Sequence, residues 1–141
     1  GVCRYIPAHP ELDPPATIKT TVFSVVSVDE VIWVNTEGAA KPAPVPIASQ
    51  PLRSFHVDAQ SEGLAQACLA VAFDGGAPEQ LAHGLYQLGA RQVLLLENPL
   101  DGERIQITAL IDADAKPEDC AALSRWCDAV RRAAQIKMVA A

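Results

Sequence analysis

The residues best placed to bind a ligand are Asp74, Gly75, Gly76 and Arg91. The first three follow an apolar run that we predict to be a strand, and they precede Pro78, which suits the first turn of a helix. Such loops bind anions through backbone amides, but this one lacks P-loop and dinucleotide-fold motifs. The sequence leaves two interpretations of this segment: a small-molecule site, or a turn without a ligand. Arg91 also has two interpretations: its side chain binds the carboxylate of a ligand, or it caps the preceding predicted helix.

Carboxylates cluster at Asp112, Asp114, Glu118 and Asp119. Oxygen ligands of this kind suit a hard cation such as Ca²⁺, but the spacing matches no EF-hand loop. Helix capping explains Asp114, Glu118 and Asp119 without a metal, because Asp114 suits an N-cap and acids are favoured in a first turn. We therefore predict no metal site.

The histidines His9, His56 and His83 are scattered over a predicted arm, strand and helix. Their spacing matches no metal or protease motif. An active site would need the fold to bring His56 or His83 to a carboxylate or to Cys68. An enzyme with a site assembled by the fold is therefore the second alternative for function, and we predict no cofactor.

The chain holds four cysteines. Cys120 and Cys127 lie on one predicted helix about 10 Å apart, which is too far for a disulfide. We interpret Cys68, Cys120 and Cys127 as small buried apolar residues of a reduced protein. Cys3 lies in the predicted N-terminal arm, where two interpretations are open: a reactive thiol or, in a longer precursor, a lipid-modified residue.

The elements that must position these residues follow one another as strand, helix, strand, strand, helix and strand. This β-α-β-β-α-β order is that of an α+β, ferredoxin-like plait. The predicted helices rest on apolar residues at helical spacing and the strands on apolar or alternating runs. The segments are 67–73, 78–88, 92–96, 105–111, 117–134 and 136–139.

The sequence before the plait is predicted to form a β-rich N-terminal arm. Residues 1–16 are rich in proline and read as an extended arm. Residues 17–60 hold predicted strands at 20–26, 31–34 and 53–57, with a turn at 27–30 and a Pro/Ala loop at 38–51. The alternative for the first two strands is a single long bent strand without the turn. Residues 61–141 form the plait. The alternative is one compact domain overall.

The composition argues against two classes of partner. The formal net charge is −6 and aromatic residues make up 5% of the chain. A nucleic-acid-binding protein normally carries a basic face or an aromatic stacking platform. No apolar run approaches the roughly 18 residues of a membrane span. We predict no nucleic acid partner, no membrane span and a cytoplasmic location, with a signal or anchor removed upstream of Gly1 left open.

These observations favour a non-catalytic regulatory or assembly module that self-associates through its sheet or helix face. The motivation is an apolar plait without a catalytic constellation, together with open sheet edges that partners often cover. The expected partner is a second copy or another protein. The first alternative is a domain that senses a small molecule near Asp74, Gly75 and Gly76.

Overall fold

A computed structural model of the chain describes residues 1–28, 31–36, 48–100 and 104–139, with side chains through residue 135. The chain divides into two compact units, Gly1–Val45 and Pro46–Ala141. Each unit is considered by itself below.

The first unit contains a two-stranded antiparallel ribbon of β1 (Ser24–Val28) and β2 (Val31–Asn35). Both strands are rich in β-branched residues, which fit a pleated surface. The predicted strand at 31–34 is confirmed, whereas the one at 20–26 begins later, at Ser24. The predicted turn at 27–30 lies partly outside the described residues. Near the N-terminus, Val2 pairs with Lys19 as an isolated antiparallel bridge.

The second unit is a five-stranded antiparallel sheet with two helices. Its elements are β3 (Ser49–Asp58), α1 (Ser61–Ala70), β4 (Glu79–Ala82), β5 (Leu85–Leu88), β6 (Arg91–Pro99), β7 (Arg104–Asp112) and α2 (Pro117–Val139). The order across the sheet is β3-β7-β6-β5-β4. Consecutive strands β3 and β4 therefore lie at opposite edges, and the connection that contains α1 joins them.

The core of the second unit is formed by one face of the sheet and both helices. On β7, Ile105, Ile107 and Ala109 are buried at alternate positions, as expected for one face of a strand. The cluster continues into α2 along the predicted apolar stripe, and the helix predicted at 117–134 is confirmed. The α2 residues in this cluster are Leu123, Trp126, Cys127, Val130 and Ala134.

The predicted ferredoxin-like β-α-β-β-α-β plait is wrong. The strands predicted at 53–57, 92–96 and 105–111 lie within β3, β6 and β7. The segments predicted as strand 67–73 and helix 78–88 have a different structure, and the chain is helical where strand 136–139 was expected. All paired strands of the five-stranded sheet are antiparallel.

The strand predicted at 67–73 is wrong because its first residues belong to the second half of helix α1. Ala67 and Cys68 belong to α1, and together with Leu64 they form its buried face. Their spacing of three and four residues places them on one side of a helix. The predicted strand therefore joined the second half of α1 to the loop that follows it.

The second error arises because leucines at helical spacing lie on two strands. β4 and β5 form a hairpin, and Tyr86 and Leu88 alternate inward on β5. Gly84 lies between the strands with a φ of 72°, and its carbonyl accepts a hydrogen bond from the Leu95 N–H at 2.8 Å. A central glycine with positive φ favours the hairpin over a continuous helix.

The remaining predictions concern loops. Most of the Pro/Ala loop predicted at 38–51 lies outside the described residues, and its last three residues belong to β3. Asp114 precedes α2 but binds Arg91, whereas Asp119 accepts a hydrogen bond from the Lys116 N–H at 3.0 Å, just before the helix begins.

Candidate functional site

The segment with Asp74 and Gly75 is a tight two-residue turn between Phe73 and Gly76. The N–H of Phe73 donates to the carbonyl of Gly76, and the reverse bond also forms, both at 2.9 Å. Asp74 and Gly75 have φ values of 47° and 79°. Positive φ at both central residues is typical of a type I′ turn, for which Asp-Gly is a preferred pair. The local geometry therefore explains why these two residue types stand here.

An open cleft with a volume of about 640 Å³ lies beside this turn. The turn forms one wall, the β5–β6 connection forms another, and the first turns of α2 form a third. Small or apolar side chains supply much of the surface, including Phe73, Leu88 and Ala122. The charged residues that line the cleft are Asp74, Arg91 and Asp119.

Arg91 joins the start of β6 to the segment around the start of α2. Its Nη1 lies 2.9 Å from Asp114 Oδ1, and its Nη2 lies 2.8 Å from Asp119 Oδ2. The Asp112 carboxylate also lies near, since its Oδ2 accepts a hydrogen bond from the Gln92 N–H at 2.9 Å. The guanidinium therefore interacts with carboxylates of the chain itself.

Asp119 is charged at neutral pH. The hydrogen bond from the Lys116 N–H lowers the pKa of this carboxyl below its ordinary value of 3.8, and the Arg91 guanidinium lowers it further. Partial burial opposes both effects. The two lining carboxylates outnumber the one lining cation, so the cleft carries a local excess of negative charge.

Three of the four predicted site residues line the cleft, namely Asp74, Gly76 and Arg91. Gly75 is not among the lining residues, and no atom lies within 4 Å of the position that its Cβ would take. The helix expected after the turn is wrong, because a β-strand follows it, and the Gly76 N–H that could bind an anion already donates to Phe73. The alternative in which Arg91 caps the preceding helix does not apply, because that segment forms β4 and β5.

The sequence analysis did not predict Asp119 and Ala122 as site residues. They come from the early part of α2, whose acids were interpreted as helix-stabilising. The cleft unites residues from three separate segments, and no local pattern in one sequence shows that they meet. The excess of acidic residues in the first turn of α2 was the one signal in the sequence that could have indicated this part of the cleft.

The residues considered for catalysis lie in different places. His56 is exposed on β3, His83 is exposed between β4 and β5, and Cys68 is fully buried in α1. Burial raises the pKa of the Cys68 thiol to about 12, so it stays protonated and a poor nucleophile. Among the described residues, no group of three or more His, Cys, Asp or Glu side chains is arranged to hold a metal ion.

Comparison with known proteins adds no relative. No protein-family model matches this chain, and no curated protein matches it. None of the helices in the described part of the chain has the length and apolar character needed to span a bilayer.

Proposed function

We propose that this chain is a non-catalytic assembly module that self-associates through the β1–β2 ribbon. The observation that carries the proposal is the exposed apolar face of the ribbon. Val25, Ile32 and Val34 are 62%, 68% and 52% exposed. Val25 pairs with Val34 and Ser27 with Ile32, so these four residues share one face, called the Val25 face below.

The ribbon has a second property that favours assembly. An isolated pair of strands is marginally stable in water and gains stability from further strands or a packed face. Within the described residues its sheet has two strands, so the outer edge of each is unpaired. Unpaired edges readily accept another strand.

A second copy of the chain is the partner that fits this surface best. In a symmetric dimer the same patch meets itself, so it must be self-complementary. Neither β1 nor β2 carries a charged side chain, although the chain has a net charge of −6. The two strands of the Val25 face can therefore meet their counterparts in a second copy without like charges opposing each other within the strands.

Sedimentation velocity over a range of micromolar concentrations tests this proposal. The unaltered chain should form a dimer, whereas Ile32→Lys should remain monomeric because it places a charge in the apolar contact. Ser27→Lys should do the same while it keeps every apolar side chain. The matched control is Leu69→Lys, at a position 43% exposed on α1, which should still dimerise.

Circular dichroism must show the same fold for all variants. A monomeric unaltered chain at high micromolar concentration would overturn the proposal, and so would a dimer that both ribbon variants leave intact.

A second candidate function is the binding of a small molecule in the cleft. The specific observation in its favour is that Asp74, Gly76 and Arg91, from two separate segments, line one cavity of about 640 Å³. Ligand sites commonly have volumes of about 300–1,000 Å³. Ala122→Leu fills part of this cavity from α2 and should abolish binding in a ligand titration. Retained binding in that variant would place the ligand elsewhere.

A further inference from the structure

The cleft has both an apolar and a charged surface, and together they restrict the kind of ligand that it can bind. Its accessible apolar surface comes from Phe73 and three alanines, Ala77, Ala90 and Ala122, whereas the bordering Leu88 is fully buried. Its charged surface consists of Asp74, Arg91 and Asp119. A ligand that fills this space must therefore combine an apolar body with a polar head.

The one cation of the lining is already paired. Asp114 and Asp119 bind the two terminal nitrogens of Arg91 at 2.9 and 2.8 Å. A guanidinium has five N–H donors, so an anionic ligand could still reach Arg91, but it would lie next to these two carboxylates. Like charges at such short range repel each other strongly when partly shielded from water.

A cationic ligand meets the opposite situation. Asp74 and Asp119 together exceed the charge of Arg91 by one negative unit. Just outside the lining, Asp114 adds a negative charge and Lys116, whose charge acts on Asp119, adds a positive one, so the excess of one remains. An ammonium group is attracted to these carboxylates, whereas an anion is repelled by them. Its apolar body would remove the alanine and phenylalanine surface from water, which is favourable.

We propose that the cleft binds a small organic amine with an apolar body, through its carboxylates and its alanine-rich wall. This inference rests on the second candidate function above. It replaces the expectation that Arg91 binds the carboxylate of a ligand.

The test compares three probes with the same aromatic body and different heads: phenethylamine, phenylacetate and phenethyl alcohol. Each is titrated into the full chain, and the amide signals of residues 73–77 and 88–91 are followed by NMR. Phenethylamine should shift these signals with an affinity at least about tenfold higher than that of phenylacetate. Added salt should weaken its binding, because the carboxylates are partly exposed to solvent.

Asp74→Asn removes the charge of the turn with little strain, since asparagine also tolerates the positive φ of this position. It should weaken phenethylamine binding about fivefold, as expected for one solvent-accessible ion pair. Glu62→Gln is the control: it changes the net charge equally, on the exposed first turn of α1, and should leave the affinity unchanged.

The outcomes separate the two proposals. If phenylacetate or the alcohol binds in the cleft as tightly as the amine, or if Asp74→Asn has no effect, the amine inference fails and the cleft remains a binding site. If none of the three probes shifts the amide signals of the cleft, both the inference and the second candidate function are overturned.

Discussion

Burial separates the cysteines of this chain into two chemical groups. Cys68 and Cys127 lie in the core, and burial raises the pKa of each thiol to about 12. Because the thiolate is the reactive form, we expect neither to react with a thiol reagent in the folded chain at mildly alkaline pH. Cys3 and Cys120 are partly exposed, so the interpretation of Cys120 as a buried residue is wrong, and both thiols should be modified first. Mass spectrometry of the labelled chain before and after unfolding measures this, and early labelling of Cys68 would contradict it.

Asp119 should make the free energy of unfolding of the second unit vary with pH in the acid range. Its pKa is lower in the folded chain than its ordinary value of 3.8. The stabilisation is therefore present above that value and is lost as the pH falls through the folded pKa. Asp119→Asn keeps an oxygen acceptor for the Lys116 N–H and removes the charge.

The unaltered chain should consequently have the higher melting temperature near neutral pH, and the difference should vanish in strong acid. Thermal unfolding of both proteins over a pH series measures this. A difference that stays constant with pH would show that the charge of Asp119 contributes nothing.

At the scale of elements, the β4–β5 hairpin depends on one close backbone contact. A Cβ at Gly84 would lie 2.5 Å from the carbonyl oxygen of Leu95, whereas no atom lies within 4 Å of a Cβ at Gly89. Both glycines have positive φ, at 72° and 60°. Gly89→Ala should therefore lower the free energy of unfolding by about 1 kcal/mol, from strain alone. Gly84→Ala should lower it by about 3 kcal/mol, because the hairpin must also move away from β6.

Urea unfolding of the two variants gives both values. Because each replaces glycine with alanine at positive φ, equal losses would mean that the contact with Leu95 relaxes without cost.

The elements that the sequence predicted correctly have a strong local signal. In α2 the apolar stripe repeats over several turns, and in β6 and β7 the apolar residues stand in uninterrupted or alternating runs. The signal at 78–88 was ambiguous, since Leu81, Leu85 and Leu88 fit a helix, while Tyr86 and Leu88 fit a strand. The contact of Gly84 with Leu95 decides between them, and it is a tertiary contact that local spacing does not contain.

At the scale of the whole molecule, the pattern of apolar residues along the chain could not determine the topology of the sheet. An order of strands and helices along the chain is compatible with several arrangements in space, and β3 was assigned to a segment separate from the plait. In the structure, β3 is the edge strand beside β7, with Phe55 opposite Ile107. Asp74, Gly76 and Arg91 line the cleft, but the helix that led to their prediction as site residues is a β-hairpin in the structure.

The position of β3 in the sheet also affects how the chain folds during its synthesis. Its partner is β7, so Ser49 pairs with Asp112 and Asp58 with Arg104. During synthesis β3 leaves the ribosome long before β7 exists, and until then it has no strand to pair with. The closure of such a long loop costs entropy before any contact repays it. We therefore expect the sheet to complete late, with the apolar side chains of β3 open to chaperones on the nascent chain.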